Sequence, residues 1–197
     1  LLASTILPTM PLWHQYSRYA SPDMPFVFFT LASLLFTSYS LNNKGLKRLN
    51  VLLLISISGF FLGLTFFIRS YMSILPLFAL APIVLNYRSR INSSFIVSFV
   101  FGYVIGLIPT VFSLSIAIQT YGIEAIYKLF DFAQDKAIGP NSSINIFYYP
   151  LSLLLLSYPT GLFAPLGIAN IIQGNYTKLK AFLIYYPGAI LLMLMLM

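Results

Sequence analysis

The sequence contains no cysteine, a single histidine and four acidic residues among its 197 positions. The lack of cysteine excludes thiolate chemistry and metal sites built on thiolates, and one histidine leaves too few ordinary ligands for zinc. A Gly-rich phosphate loop, a His-Glu zinc motif and a Ser/His/Asp set are missing as well. Nothing in the sequence therefore indicates a metal or a resident cofactor, and the few charged residues become the candidates for chemistry.

Charge is scarce throughout the chain: 8% of the residues are charged, 59% are hydrophobic, and the mean hydropathy is +0.88. Soluble domains contain about 25% charged residues. We therefore predict an all-α membrane protein, a bundle of transmembrane helices that satisfy their own backbone hydrogen bonds in lipid. The net charge of +7 comes from positives scattered between apolar runs. Such scatter indicates membrane topology, so we expect membrane lipid as a partner and no nucleic acid.

Apolar runs of about 17–25 residues predict the spanning helices. The predicted spans are residues 25–41, 50–68, 72–86, 94–118 and 148–172. Residues 1–12 and 181–197 predict partial spans, and residues 119–147 predict a polar loop. We expect one transmembrane domain, and a fragment of a longer protein, because the chain begins and ends inside apolar runs without an initiating Met.

Prolines and glycines predict irregularities in two of these spans. Pro76 and Pro82 predict that the short span 72–86 is bent or only partly inserted. Gly102, Gly106 and Pro109 predict that the helix at 94–118 is loosened.

The loops differ in charge from one side of the membrane to the other. Strict alternation of the spans puts seven positives on one side: Lys44, Lys47, Arg48, Arg88, Arg90, Lys178 and Lys180. The other side receives four positives and all four acids: Arg18, Arg69, Lys128, Lys136, Asp23, Glu124, Asp131 and Asp135. The side without acids is predicted to be cytoplasmic. Short loops favour a multi-pass protein of the bacterial inner membrane.

The outer segment 119–147 has the pattern of an amphipathic helix. Its apolar residues recur at helical spacing, at Ile126, Leu129, Phe130, Ala133 and Ala137. Its charged residues fill the other face, and Gly139-Pro140 ends the pattern. We predict that this helix lies on the outer membrane surface.

Three outer charges and two tyrosines are the candidate site residues. Asp23 suits either a base or binder of sugar hydroxyls, or a cap for the helix that starts near Pro25. Arg18 suits a phosphate clamp, a partner for Asp23, or an interfacial arginine among lipid headgroups. Arg69 suits an anionic polyprenyl-phosphate headgroup, or a helix C-terminus. Tyr148 and Tyr149 suit a binding site or an aromatic belt at a helix start.

Three stretches in this order resemble one family. Residues 17–25 (SRYASPDMP) resemble the outer loop of the family 39-type glycosyltransferases, which include protein O-mannosyltransferases and the aminoarabinose transferase of lipid A. Residues 62–71 (LGLTFFIRSY) resemble a turn of that family, with Arg69-Ser70 where Lys-Gly is common. Residues 139–159 contain Gly-Pro, Tyr-Tyr-Pro and Tyr-Pro motifs in that order. They resemble the outer segment that follows this turn in the family.

The resemblance implies a GT-C fold and transfer of a sugar from a polyprenyl-phosphate donor to an acceptor outside the cytoplasm. It implies that Asp23 is a catalytic carboxylate and that Arg69 faces the phosphate. Two departures matter: the family's principal acid would lie before Leu1, and its histidine before the Gly-Pro is missing here. The chain alone is therefore expected to be inactive. A transporter or flippase subunit is the competing class, although every charge lies near the end of a span.

Overall fold

The structure, a computed structural model, describes residues 23–43, 45–124, 126–128, 131, 164–174 and 180–196. All regular structure within these ranges is helical, which confirms the predicted all-α class for this part of the chain. The helices are α1 (Asp23–Asn42), α2 (Arg48–Arg69), α3 (Ile74–Ala79), α4 (Ala81–Asn86), α5 (Ser93–Tyr121), α6 (Ala164–Gln173) and α7 (Tyr186–Leu196).

Three of the described helices, α1, α2 and α5, are long and apolar enough to cross a membrane. They contain 20, 22 and 29 residues, so they are about 30, 33 and 43 Å long. A hydrocarbon core is about 30 Å thick. Their length and composition are those of a membrane protein. Helix α5 begins where the Asn92 side chain accepts a hydrogen bond from the Phe95 N–H (2.9 Å), an N-cap that fixes its start.

Helices α1 and α2 form an antiparallel hairpin, and α5 runs parallel to α2. The start of α2 lies beside the start of α5, where Arg48 Nη2 donates to Ser94 Oγ at 3.0 Å. Further along, Gly63 of α2 lies against Gly106 of α5. We call the end of the bundle that holds residues 43–48 and 87–92 the basic end. The opposite end, where α1 begins and α2 stops, is the Asp23–Arg69 end.

Glycines bring α2 and α5 into backbone contact. A Cβ on Gly59 would lie 2.9 Å from the Tyr103 nitrogen, and a Cβ on Gly63 would lie 2.9 Å from the Gly106 Cα. A Cβ on Gly102 would meet the backbone of Ser56. Each helix thus carries a GxxxG motif, which lets helices approach closely in lipid. Helix α5 is continuous through Gly102 and Gly106, and these glycines lie in close backbone contact with α2.

Hydroxyl groups join α1 to α2. Ser33, Thr37 and Ser58 are buried, and Ser58 Oγ lies 3.0 Å from Ser33 Oγ and 2.6 Å from Thr37 Oγ1. Ser58 Oγ also donates to the Ser33 carbonyl at 2.9 Å. One donor and two acceptor positions satisfy the Ser58 hydroxyl completely. We call these three residues the hydroxyl seam; it holds the two helices together where hydrophobicity gives no preference.

Removing the centre of the hydroxyl seam should destabilise the hairpin. Ser58→Ala removes three hydrogen bonds at once and leaves buried Ser33 and Thr37 hydroxyls short of a partner. We expect a loss of about 1–2 kcal/mol in the free energy of unfolding. Unfolding in SDS titrations measures it. Ser115→Ala, on an exposed hydroxyl that bonds only within its own helix turn, is the control and should change little; equal effects at both positions would contradict this role for the seam.

The chain returns from the Asp23–Arg69 end to the basic end through residues 70–86. A 3₁₀ turn at Ser70–Ser73 leads into α3 and α4, which are separated at Leu80. At the far end, Tyr87 OH donates to Asn42 Oδ1 at 2.8 Å, and Arg90 donates to the Leu41 carbonyl. The segment predicted as a bent span is thus two short helices that run between opposite ends of the hairpin.

The last described segment, residues 180–196, packs on helices α3 and α4. A π-helical turn at Ala181–Tyr185 contacts α4, and α7 contacts α3. Phe182 and Tyr186 are buried there, with the Phe182 ring 5.8 Å from the Tyr87 ring. Residues 165–170 of α6 are exposed.

Candidate functional site

An ion pair closes the Asp23–Arg69 end of the α1–α2 hairpin. Arg69 Nη2 contacts Asp23 Oδ1, and both side chains are 34% exposed. The two residues are 46 positions apart in the sequence, and each was predicted separately as a site residue. The antiparallel hairpin brings them together, because α1 begins at Asp23 and α2 ends at Arg69.

Helix ends explain why these charges are tolerated beside lipid. Asp23 lies in the first turn of α1, and Arg69 lies in the last turn of α2. A carboxylate near a helix N-terminus and a cation near a C-terminus each gain about 0.3–1 kcal/mol from the helix dipole. Both charges thus lie at helix ends as well as in an ion pair, and the role of Asp23 as a helix cap stays a prediction. Half-buried charges at such a place remain accessible to a polar ligand.

The turn after Arg69 is strained. Ser70 has φ +42°, the left-handed region that favours glycine, while its N–H bonds to the Phe66 carbonyl and ends α2. Ser73 Oγ donates to the Ser70 carbonyl at 2.7 Å and holds the turn in place. Strain of this kind costs of order 1–3 kcal/mol and persists where neighbouring structure fixes it. The turn sets the position of the Arg69 side chain at the end of α2.

Glycine at position 70 should relieve this strain. Ser70→Gly keeps the carbonyl that Ser73 contacts and removes the Cβ that disfavours positive φ. We expect a gain of about 0.5–1 kcal/mol in the free energy of unfolding. Ser70→Ala is the matched control, since it retains the Cβ and should give no gain. Thermal unfolding of both variants measures the difference, and a Gly variant no more stable than the Ala variant would contradict the strain.

Other predicted site residues have different outcomes. Arg18, Tyr148 and Tyr149 lie outside the described residues, so their roles stay predictions. The Asp23 carboxylate contacts Arg69, and the expectation that Arg18 is a partner for Asp23 stays a prediction. Gly63 of α2 lies against Gly106 of α5, and the two helices run in parallel. Six residues further along each helix, Phe112 of α5 is therefore level with Arg69 of α2.

The charged outer segment begins well beyond the ion pair. Helix α5 continues from Phe112 to Tyr121, about 13 Å further along its axis. Gly122 then ends it with φ +72°. Glu124, Lys128 and Asp131 follow, are exposed and have helical backbone. The amphipathic surface helix stays a prediction, because most of its residues lie outside the described ranges.

Within the part of the chain that the structure describes, the site consists of two opposite charges. Among the described residues, no three His, Cys, Asp or Glu side chains come together. The pair can do two things chemically: the carboxylate can accept a proton or bind hydroxyl groups, and the guanidinium can bind an anion such as a phosphate. The sequence could not show that they touch, because no periodicity links the ends of two different helices.

Comparisons with family models, with curated proteins and with solved structures find no match for this chain. The family resemblance therefore rests on the sequence motifs quoted above.

Proposed function

We propose that this chain belongs to an integral-membrane glycosyltransferase that moves a sugar from a polyprenyl-phosphate donor to an acceptor on the extracytoplasmic face. The Asp23–Arg69 ion pair is the observation that carries the proposal. It unites the carboxylate and the guanidinium that the motif resemblance assigns to such a site. The pair also lies opposite the basic end, which the distribution of charge predicts to be cytoplasmic.

The chemistry follows from the two side chains. The Asp23 carboxylate takes the proton of the acceptor hydroxyl as the hydroxyl oxygen attacks the anomeric carbon of the sugar. The bond from that carbon to the phosphate oxygen breaks, and the lipid phosphate leaves with the electron pair. Arg69 stabilises the charge that develops on the phosphate. A guanidinium has five N–H donors, so it can contact the carboxylate and the phosphate at the same time.

The ion pair gives Arg69 a second role in the proposed reaction, which is to position the base. It holds the Asp23 carboxylate in one place at the membrane surface, which lowers the entropic cost of positioning the base. The half-exposed site is open to substrates from the outer side. The acceptor, the sugar and the lipid length are set by residues beyond this pair.

A transporter or flippase subunit is the alternative. It needs polar groups along a path through the membrane. The buried hydroxyls of α1 and α2 bond either to one another, in the hydroxyl seam, or to backbone carbonyls of their own helix. This internal bonding favours a role in packing.

The test is transfer by the full-length protein. Purified protein is incubated with radiolabelled sugars on polyprenyl phosphate, and the label is followed from lipid to acceptor. Transfer of label supports the proposal. Movement of the intact lipid-linked sugar across the bilayer without transfer would support the alternative and overturn the proposal.

A further inference from the structure

A groove opens along α1 at the basic end. It has a volume of about 890 Å³ and lies between α1 and the π-helical turn. Its part farther from the basic end is apolar and includes Leu31, Leu34 and Leu35. Its outer part is polar and includes Tyr39, Asn42 and Asn43. The groove therefore changes from apolar to polar in one direction, toward the basic end.

The length of the groove matches one leaflet of a bilayer. Its lining residues on α1 extend from Leu31 to Asn42, which is about 17 Å of helix. Half of a hydrocarbon core is about 15 Å. An acyl chain beside Leu31 and Leu35 would thus place its headgroup beside Asn42 and Asn43.

The wall of the groove is built from fixed contacts. Phe182, which lines it, packs on the Tyr87 ring, and Tyr87 donates to Asn42. Burial raises the pKa of the Tyr87 phenol, against the lowering effects of Arg90 and of the bond to Asn42. The phenol stays protonated at neutral pH and keeps donating. Asn42 in turn donates through Nδ2 to Ser38 Oγ at 3.2 Å.

Two cations lie near residues that line the groove. Arg90 donates to the carbonyl of Leu41, the neighbour of Asn42. Lys180 precedes Phe182 by two residues and donates to the Ile172 carbonyl at 2.9 Å. None of the acids that the structure describes lies at this end, since Asp23 begins α1 and Glu124 and Asp131 follow the far end of α5. The mouth is therefore complementary to a negative headgroup.

We propose that this groove binds one anionic phospholipid of the leaflet at the basic end. Its acyl chain lies along Leu31 and Leu35, and its headgroup lies near Arg90 and Lys180. The site is distinct from the Asp23–Arg69 pair, because the two lie at opposite ends of α1. The proposal does not depend on the glycosyltransferase activity.

Native mass spectrometry of the full-length protein tests the proposal. Protein reconstituted with equal amounts of phosphatidylglycerol and phosphatidylcholine is extracted, and retained lipids are counted. We expect one retained phosphatidylglycerol per chain at this site. Lys180→Gln should weaken its retention about fivefold, the effect of one cation near an anionic headgroup. Leu35→Trp should abolish retention by filling the groove.

Leu53→Trp is the matched control, because Leu53 is also exposed on a spanning helix but does not line the groove. It should retain phosphatidylglycerol as the unchanged protein does. Equal retention of the two lipids by the unchanged protein would overturn the proposal. Unchanged retention in both Leu35→Trp and Lys180→Gln would overturn it as well. Neither result bears on sugar transfer, which is measured separately.

Discussion

Replacing Gly102 with alanine should destabilise the bundle by about 3 kcal/mol, the upper part of the range for overpacking. The new Cβ would meet the Ser56 backbone, including its Cα at 2.9 Å. Backbone atoms cannot rotate away as side chains can, so α2 and α5 must separate. Separation would also weaken the bond from Ser56 Oγ to the Ser98 carbonyl (3.0 Å). Thermal unfolding measures the effect, with an expected fall in Tm of about 6–12 °C.

Gly167→Ala is the control for this prediction. A Cβ on Gly167, in α6, meets nothing within 4 Å. Alanine is a better helix former than glycine by about 1 kcal/mol, so this variant should be as stable as the unchanged protein or more so. Both variants replace a helical glycine with alanine, but we expect only Gly102→Ala to lower the Tm. Equal Tm values for both variants would show that close packing of α2 on α5 is not required.

Loss of either charge of the ion pair should abolish sugar transfer. Asp23→Asn keeps the shape of the side chain but removes the proton acceptor, and we expect a fall in kcat of about 10²–10⁴-fold. Arg69→Ala removes the cation that stabilises the leaving phosphate, with an expected fall of about 10²–10³-fold. Arg69→Lys keeps the charge but loses the planar donor geometry, so it should be intermediate. Initial rates of transfer from a labelled lipid-linked sugar measure all three.

Two control proteins separate chemistry from folding. The double variant Asp23→Arg with Arg69→Asp restores an ion pair but puts each charge at the unfavourable end of a helix dipole, so it should recover only part of the stability and none of the transfer. Arg88→Ala removes an exposed arginine at the basic end and should leave the rate unchanged. Recovery of transfer by the exchanged pair would mean that the two residues act only in holding the hairpin together.

The positions of the helices and the sides of the loops could be predicted, because they depend on local features of the sequence. Apolar runs broken by short polar loops predicted helices near 25–41 and 50–68, and the described helices are Asp23–Asn42 and Arg48–Arg69. The seven-to-four division of positive charges predicted that the loops at 42–48 and 87–90 share one side. The structure brings those two loops to one end through Tyr87 and Arg90.

The pairing of helices could not be predicted in the same way. Glycines in an apolar run indicate either a weak point or a close contact, and only the partner helix decides between them. The segment of α2 with Gly59 and Gly63 packs against the segment of α5 with Gly102 and Gly106, because the two helices run in parallel. That direction depends on the return of the chain through 70–86.

For the candidate site, too, the residues could be predicted from the sequence but their contact could not. Asp23 and Arg69 could each be chosen from the scarcity of charge and from the motifs around them. Their contact depends on matching lengths of α1 and α2, and the strain at Ser70 depends on the turn that follows. The hydroxyl seam gave no sequence signal, since serine and threonine are common in spanning helices and bond equally well within their own helix.

Sidedness of transfer is the most direct test of the central claim, that sugar transfer occurs at the Asp23–Arg69 end. The full-length protein is reconstituted into vesicles with a labelled polyprenyl-phosphate sugar, and its orientation is determined by protease access to tags on the basic loops. A water-soluble acceptor is then supplied on one side only. We expect transfer when the acceptor faces the Asp23–Arg69 end. Transfer only to acceptor at the basic end, or transport of the intact donor without transfer, would contradict it.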